Sequence, residues 1–569
     1  MRSLLRRSGR SVPIALLALL SLVTATCALA QGGEPQYFAI RGAKVVPVSG
    51  PPLENATVVI GRGVIIAVAA DAAIPADAWV VEGKGLVVYP GLVDSFTDVG
   101  IAPTAPAAPA EGGPRRGGEV ARGPEDRPQT TIWRKAADEA SLADKRIETW
   151  RSAGFTTVVS APKGGFFPGQ AAVLDLAGER NGDLVVKSPV AIPVVMRATG
   201  GFASGFPDSL MGVIGYEHQF LLDTDWLARA NAAYDKNPKG TARPRYDRAS
   251  AALSDALQDH AFFLIASNTA LDMRRVLAIA ERWKISAAIF GGQAGYEIAD
   301  EIAARKTPVI IDLKWPEAEK DADPDDQPSL RTLRFRDRAP STPAAFVKAG
   351  VKFSFASGAQ SDPKALLKAV KKSIDAGLAP DAALRALTLS PAEIFGVADR
   401  LGSIEKGKIA NLVVADGDLF NEKTKIKLVF VDGHRFTIHE PEKPKDAPKG
   451  DISGKWKLAY TTPEGSEESV AELVMAGDGS ISGTVSGKRG VGTIISGYLS
   501  ADKFNFVINM PVEGSFADVT FSGTFDGSTL KGNIAVLGYS LDFTGTKSAP
   551  TSSLAARSAA NLAGQGDAQ

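Results

Sequence analysis

Metal binding and proton transfer near neutral pH need particular side chains. Imidazole and carboxylate groups can do both. The chain has only four histidines, which are His218, His260, His434 and His439. Two aspartates, Asp94 and Asp98, lie in the segment YPGLVDSFTDVG (89–100), and His218 follows a glutamate in the segment GYEHQF. Asp98 and His218 are weak catalytic candidates on residue type alone.

Composition and charge describe an ordinary globular protein of 569 residues. The chain is 44% hydrophobic and 22% charged, and its 64 basic and 64 acidic residues give a formal net charge of zero. That balance argues against nucleic acid as a partner, because the chain has no excess positive charge to attract it. The length allows two to four domains with sizeable cores.

The first thirty residues have the layout of a secretory signal peptide. Basic residues within 2–10 precede an apolar run over 12–23, and Ala-Leu-Ala at 28–30 offers a small-residue cleavage site. The pattern predicts an exported protein, periplasmic or extracellular, with no membrane span after cleavage. The only cysteine, Cys27, lies inside this signal, and a lipoprotein modified at Cys27 is the alternative. Without it, the mature chain contains no disulfide and no thiol.

Changes of pattern along the chain predict its domains. Residues 31–90 and 396–440 contain short β-branched runs with glycine turns. Residues 91–395 alternate apolar strands with helices, which is typical of a parallel sheet covered by helices and, at this length, of a (β/α)8 barrel. Residues 451–548 read as about eight short strands, an antiparallel sandwich or small barrel. Two stretches of low-complexity composition are predicted to be a solvated loop and a disordered tail, 101–130 and 549–569.

Three stretches, in this order, resemble the amidohydrolase superfamily and in particular its imidazolonepropionase-like branch. They are GKGLVVYPGLVDSFTDVG, ALTLSPAEIFGVADRLGSIEKGKIANLVVADGDLF and KLVFVDGHRF. The resemblance covers residues 37–440 and implies an α/β fold, a (β/α)8 TIM-like barrel whose flanking segments combine into one composite β-sandwich. Asp94 matches the aspartate of the family's Pro-Gly-x-x-Asp motif, which we interpret as mainly structural. Asn411 replaces a family aspartate inside the predicted sandwich, where we expect no effect on a site.

The resemblance implies a hydrolase of carbon–nitrogen bonds other than peptide bonds that uses one or two metal ions such as zinc. The family's metal ligands, however, fall on side chains that cannot replace imidazole. The His-x-His pair falls on Phe96 and Asp98, the strand-5 histidine on Ala266, the strand-6 histidine on Phe290 or Gly291, and the strand-8 aspartate within 357–359. We therefore predict a divergent member that lacks the metal-binding histidines, and we assign no cofactor.

Two functions remain open on the sequence alone. One is a divergent hydrolase with an unusual metal site or none, acting on an unknown small molecule. The other is a non-catalytic binding or scaffolding protein that kept the barrel and forms a homo- or hetero-oligomer, for example with an intact relative. For residues 451–548, a ligand-binding barrel and a stabilising appendage both agree with the pattern.

Other polar residues of the barrel region have structural interpretations. His260 precedes a predicted strand, at the end of the barrel opposite to catalysis, and His434 and His439 follow the barrel on the surface. Asp362, before a proline, is predicted to cap a helix. Lys163 belongs to PKGGFFPGQ, whose glycines form either an anion cradle or, as we favour, a tight turn.

Overall fold

The computed structural model describes residues 37–101, 127–197, 207, 209–318, 327–358, 360, 362–438, 446–462, 465–488, 490–512, 515–536 and 539–548. The predicted signal peptide with Cys27, most of the 101–130 loop, His439 and the predicted tail lie outside these residues. The chain divides into two compact units, one of residues 37–438 and one that contains the residues after 438. No helix among the described residues is long and apolar enough to cross a membrane.

The unit 37–438 is built from the following elements. Its strands are β1 (Tyr37–Val45), β2 (Leu53–Gly61), β3 (Val64–Ala69), β4 (Trp79–Glu82), β5 (Val87–Pro90), β6 (Leu92–Thr97), β7 (Phe155–Ser160), β8 (Ala171–Asp175), β9 (Val185–Val194), β10 (Phe262–Ser267), β11 (Ala287–Gly291), β12 (Val309–Asp312), β13 (Phe353–Ala356), β14 (Leu412–Ala415), β15 (Ile426–Val431) and β16 (His434–Thr437). Its α-helices are α1 (Arg146–Ser152), α2 (Leu210–Lys236), α3 (Arg248–Gln258), α4 (Ala270–Trp283), α5 (Ala299–Ala304), α6 (Leu330–Arg338), α7 (Thr342–Ala349), α8 (Pro363–Asp375), α9 (Pro380–Ala386) and α10 (Leu389–Ile394).

The segments before and after the barrel region meet in one eight-stranded sheet. Its order is β16-β15-β14-β5-β1-β2-β3, with β4 also paired to β1, and β5 joins β14 in antiparallel register. The rings of Phe38 on β1 and Phe430 on β15 lie 5.6 Å apart although two strands separate β1 from β15. Because neighbouring strands are spaced by about 4.8 Å, this contact shows that the sheet curls around its own apolar core.

A second eight-stranded sheet contains β6 to β13 in sequence order. The pair β6–β7 and the run β9 to β13 are parallel. The predicted strict alternation of strand and helix fails at β8, which is antiparallel to both β7 and β9. Only residues 161–170 connect β7 to β8, and a parallel neighbour needs a crossover of about a dozen residues or more. The short connection therefore reverses the chain.

The two outer strands of this sheet, β6 and β13, contact each other. The Gly358 N–H donates to the carbonyl of Phe96 at 3.2 Å, and the Ser357 N–H donates to Asp94 Oδ1 at 2.8 Å. Inside the ring of strands lies an apolar core with buried side chains from five of the strands: Val159, Leu264, Ala288, Ile310 and Ala356. The interior is thus packed with hydrocarbon, as in a closed barrel of parallel strands.

The segment YPGLVD needs a glycine at position 91, where the chain passes from the first sheet to the second. A Cβ atom at this position would lie 2.0 Å from the Thr156 hydroxyl oxygen on β7. Only glycine permits that close approach of the backbone. Any side chain here would push β6 away from β7 and disturb the start of the barrel sheet.

The residues after 438 form a closed antiparallel barrel of eight strands, which confirms the small-barrel alternative over the sandwich. The strands are β17 (Gly454–Thr462), β18 (Gly465–Met475), β19 (Ile481–Gly487), β20 (Gly490–Ser500), β21 (Lys503–Val512), β22 (Ser515–Phe525), β23 (Thr529–Val536) and β24 (Tyr539–Lys547). Its buried core includes Phe506 and Phe521, whose rings stack at 4.8 Å, and Trp456. An eight-stranded barrel is just wide enough for side chains to fill, so this core favours the appendage over the ligand-binding interpretation.

Candidate functional site

The parallel strands of the barrel sheet all end at one edge, and the loops that follow them form its mouth. Loops at the carboxyl ends of parallel strands are the usual place for ligands in barrels and open α/β sheets. In this protein, the residues that follow β6, β7, β10, β11, β12 and β13 lie at the mouth. All positions to which the family's metal ligands map lie on or directly after these strands.

Two of those positions touch each other. The rings of Phe96 on β6 and Phe290 on β11 have centroids 4.6 Å apart at an interplanar angle of 56°. Ala266 on β10 is in register beside Phe290. These three side chains are half-buried. Phe96 and Phe290 pack against the apolar core of the barrel, and Ala266 borders it. The centre of the mouth therefore has a hydrocarbon floor at the positions where the sequence resemblance predicts the family's histidines.

Asp98 follows β6 and has both carboxylate oxygens in ion pairs. Arg146 Nη1 donates to Oδ1 at 2.8 Å, and Lys163 Nζ lies 2.8 Å from Oδ2. Arg146 also binds the backbone carbonyl of Asp98 and the carboxylate of Asp144. Burial raises the pKa of Asp98, but the hydrogen bond and charge of Lys163 and the charge of Arg146 outweigh burial, so that pKa lies below its usual range. The two carboxylate oxygens of Asp98 are thus both occupied by ion pairs, one with Arg146 and one with Lys163.

Replacement of Lys163 tests that ion pair. We expect Lys163→Ala to raise the pKa of Asp98, because the hydrogen bond and charge that hold it down disappear. The free energy of unfolding should change by less than about 1 kcal/mol, since exposed ion pairs contribute little. A ¹³C titration of the Asp98 carboxyl group measures the shift. Lys368→Ala, at an exposed position of α8, is the matched control, and an unchanged titration in Lys163→Ala would contradict the pair.

Asp94 is buried inside β6 and acts as an acceptor. Its Oδ1 accepts from the Ser357 N–H at 2.8 Å and from the Phe96 N–H at 3.4 Å, and its Oδ2 accepts from Trp150 Nε1 at 3.2 Å. Burial raises the pKa of Asp94 to about 6, although these hydrogen bonds lower it in part. The side chain therefore connects β6, β13 and α1, which agrees with its structural interpretation.

The described residues do not fit the family's metal ion. Among them, no group of three or more histidine, cysteine, aspartate or glutamate side chains is arranged to hold one. Phe96 and Phe290 offer no ligand atom, and both oxygens of Asp98 face cations. At the strand-8 position Ser357 is fully buried, while residue 359 lies outside the described residues. We therefore derive no chemical step through a metal.

Asp312 is a mouth carboxylate that the sequence analysis missed. It is the last residue of β12, half-buried, and its Oδ1 accepts from the Lys314 N–H at 2.9 Å. Gly358 makes room for it, because a Cβ atom there would lie 2.9 Å from Oδ1 and 3.0 Å from Oδ2. Gly358 also donates to the backbone carbonyl of Phe96, so this residue contacts the ends of both β6 and β12. Burial raises the pKa of Asp312 above its usual range.

The contacts of the His218 ring do not place this residue at the mouth. It stacks on Trp283 at the end of α4, with centroids 4.8 Å apart and an interplanar angle of 2°. The neighbouring Glu217 is buried, and its Oε1 has no hydrogen-bond partner among the described residues. His260 is exposed and precedes β10, at the opposite end of that strand from the mouth. His434 begins β16.

Two further side chains have clear structural roles. Asp362 Oδ1 accepts from the Lys364 N–H at 2.9 Å and caps α8, in agreement with the predicted helix start. In PKGGFFPGQ, the N–H groups of Phe166 and Phe167 donate to the carbonyl of Gln129. Because that carbonyl occupies the donors, the contacts favour the turn interpretation of this loop over an anion cradle.

Asn411 directly precedes β14 of the first sheet and also reaches the barrel sheet. Its Nδ2 donates to Thr157 Oγ1 at 3.1 Å and to Asp175 Oδ1 at 2.9 Å, on β7 and β8 of the barrel sheet. Thr157 itself donates to Asp175 at 2.6 Å. The amide thus joins the two sheets. Burial raises the pKa of Asp175 to about 7, so these neutral donors bind a carboxyl group that titrates near neutrality.

Comparison with known proteins identifies one family match. Residues 341–436 match the amidohydrolase family. The amidohydrolase segment runs from α7 to β16, so it contains β13 of the mouth and the strands that return to the first sheet. A segment of this family indicates a hydrolase. No curated protein matches the chain.

Solved structures extend the likeness over the unit that carries the amidohydrolase segment. An amidohydrolase from Thermotoga maritima is 23% identical, with 70% of this chain and 100% of that chain covered and a TM-score of 0.58. A Xaa-Pro dipeptidase with bound methionine (17% identity, 70% and 100% covered, TM-score 0.43) and a molinate hydrolase (16%, 71% and 96%, 0.41) also match. The first of these similarities shows the fold. The TM-scores of the other two are below 0.5, so they support no conclusion.

Proposed function

We propose that the protein is an exported hydrolase of carbon–nitrogen bonds other than peptide bonds, in which Asp312 transfers the proton. The amidohydrolase segment supports the class. The observation that carries the chemistry is the half-buried Asp312, with a raised pKa, at the carboxyl end of β12. A carboxylate with a raised pKa is a better base near neutral pH, and positioned proton transfer commonly contributes a hundredfold or more.

The step that follows from this geometry needs only water and substrate. Asp312 removes a proton from a water molecule while the water oxygen bonds to the carbonyl carbon. The carbon–nitrogen bond then breaks, and the same proton passes from Asp312 to the leaving nitrogen. The phenylalanine floor excludes other water, and a lower local dielectric strengthens the electrostatic interactions of the reacting groups.

Turnover by the purified mature protein tests this proposal. Cyclic amides, N-acyl amino acids and lactones form the substrate panel, and metal content is measured on the same sample. We expect Asp312→Asn to lower kcat/KM by about a hundredfold. Asp255→Asn, at an exposed position of α3, is the matched control and should retain full activity. Turnover that Asp312→Asn leaves unchanged would remove Asp312 from the proposal, and no turnover on any substrate would remove the hydrolase.

The Phe96–Phe290 contact favours a second candidate, a binding or scaffolding protein that kept the barrel. A hydrocarbon floor at the mouth suits a bound apolar group as well as a reaction. In that case ligands of the panel would raise the thermal stability of the protein without being consumed, because a ligand that binds only the folded state stabilises it. Binding without turnover would support this function against the first.

We also propose export by a signal peptide and a place in the imidazolonepropionase-like branch, both on the sequence features alone. Amino-terminal sequencing of the protein secreted by its host tests the first. A start at Gln31 supports cleavage after the Ala-Leu-Ala site, whereas a lipid-modified Cys27 supports the lipoprotein alternative.

A further inference from the structure

A cavity of about 410 Å³ lies apart from the residues of the mouth, between Arg127, α2 and the start of α3. Its lining includes two guanidinium groups, two carboxylates and three aromatic rings. The volume falls in the range of small-molecule sites, about 300–1,000 Å³. None of the residues discussed for hydrolysis contributes to it.

The polar wall of the cavity is a fixed ion-pair network around Arg127. Its Nη1 lies 3.0 Å from Asp223 Oδ2, and its Nη2 lies 2.8 Å from Asp247 Oδ2. Asp247 also caps α3 through the N–H groups of Ala249 and Ser250. Arg127 is only 20% exposed and lies over the ring of Phe220 at 4.8 Å, so this wall is rigid before any ligand arrives.

The charges of this wall are already paired. Both carboxylates bind Arg127, and Asp223 also accepts from Gln219 Nε2 at 2.7 Å. Arg245, the second guanidinium of the lining, has an interaction partner of its own. The lining therefore has no net charge. A lining without net charge does not attract a charged ligand, whereas a neutral polar ligand can add hydrogen bonds to the remaining N–H groups and lone pairs.

Two of the three aromatic rings in the lining are largely exposed. Trp226 on α2 is 60% exposed, and Tyr246, just before α3, is 74% exposed. Large aromatic side chains normally bury most of their surface, and exposed apolar surface beside a polar wall often marks a binding site. Each ring offers a flat face to the C–H groups of a ligand.

We propose that this cavity binds a neutral saccharide of one or two rings. A sugar ring has an apolar face of C–H groups that packs on an aromatic ring, and hydroxyl groups on its edge that both donate and accept hydrogen bonds. It carries no charge, in agreement with the paired wall. One or two rings fit the volume of about 410 Å³.

Titration calorimetry of the full chain with cellobiose, maltose and N,N′-diacetylchitobiose tests the proposal, with glucuronate and indole as charged and purely aromatic probes. We expect at least one disaccharide to bind, and Trp226→Ala and Tyr246→Ala each to weaken binding by about tenfold or more. Leu222→Ala is the matched control, because Leu222 is 50% exposed on the same helix, one turn from Trp226, and does not line the cavity. It should leave the affinity unchanged.

Three results would overturn the proposal. These are no binding of any disaccharide at millimolar concentration, binding that Trp226→Ala and Tyr246→Ala leave unchanged, and tighter binding of glucuronate or indole than of the disaccharides. Because both replaced rings are exposed, the variants should fold, and circular dichroism checks this. Asp312→Asn should not alter saccharide binding, so failure of the hydrolase proposal and failure of this one give different results.

Discussion

The free energy of unfolding of the unit 37–438 should fall as the pH rises from about 4 to about 8. Three buried carboxyl groups cause this: burial raises the pKa of Asp94 to about 6, of Asp175 to about 7 and of Glu217 to about 8. In the unfolded chain the same groups titrate near the ordinary values of about 4. Folded and unfolded chains therefore bind different numbers of protons across this range.

The sign follows from which state holds the protons. Between about pH 4 and the folded pKa values, the folded chain keeps protons that the unfolded chain has lost, so stability decreases as pH increases. The contribution is fully present below about pH 4 and lost above about pH 8. Each unit of pKa shift corresponds to about 1.4 kcal/mol, so the three groups together amount to several kcal/mol.

Glu217 should give the largest single share. Its pKa is raised furthest of the three, burial is the only cause, and its Oε1 has no hydrogen-bond partner among the described residues. Glu217→Gln should therefore be more stable than the parent protein above about pH 8 and should remove part of the slope below it. Asp175→Asn should remove a separate part, because an asparagine oxygen can still accept from Thr157 and Asn411.

Urea unfolding followed at intervals of pH measures these slopes. Asp235→Asn, at an exposed position near the end of α2, is the matched control and should keep the parent slope. A parent stability that is constant or increases between about pH 5 and pH 8 would contradict the prediction. So would a Glu217→Gln variant with the parent slope.

The sequence predicts the main elements because their periodicity and their boundaries agree. The strands near TPVIID and ISAAIFG and the helix ALDMRRVLAIAERW lie where the pattern indicates, as β12, β11 and α4. The eight short runs after residue 451 become the eight strands of the closed barrel. The buried residues of α4 and of β18 follow the period of the element and identify it. Strands β11 and β12 are short, mostly buried apolar runs, which their length and the adjoining helices identify.

Two elements could not be predicted from the same signals. Helix α2 has a weak pattern, because Met211 and Trp226 are exposed while Val213 and Phe220 are buried, so apolar residues surround it. Strand β8 is short and fully buried, without alternation. Its antiparallel direction follows from the length of the connection before it rather than from its own residues.

The candidate site, like the fold, could be predicted from the sequence only in part. Sequence identifies Phe96 and Phe290 as separate positions without ligand atoms, but only the fold shows that their rings touch. Asp312 carried a usable signal, a carboxylate at the last position of an apolar strand. Asp312 lies outside the positions of the family's metal ligands, so a comparison of those positions alone does not identify it. The sequence places Asn411 next to β14, but its hydrogen bonds to the barrel sheet could not be predicted, because contacts between sheets have no sequence period.

Trp150 should be the most costly single side chain to remove from the barrel region. It is 1% exposed, lies on α1, and donates from Nε1 to Asp94 Oδ2 at 3.2 Å. Trp150→Ala leaves a cavity and an unpaired buried acceptor, so we expect a loss of about 3–5 kcal/mol in the free energy of unfolding. Trp79→Ala, at a ring that is 39% exposed on β4, is the control and should cost much less.

Trp150→Phe separates the hydrogen bond from the packing. A phenyl ring keeps much of the buried volume but has no N–H, so the cost should be about 1–3 kcal/mol. Because the indole hydrogen bond lowers the pKa of Asp94, that pKa should rise above about 6 in the variant. Urea unfolding and a ¹³C titration of the Asp94 carboxyl group measure the two effects. If Trp150→Phe left the titration of Asp94 unchanged, the indole would not be a donor to this carboxyl group. Its burial alone would then account for the stability of the junction between α1 and β6.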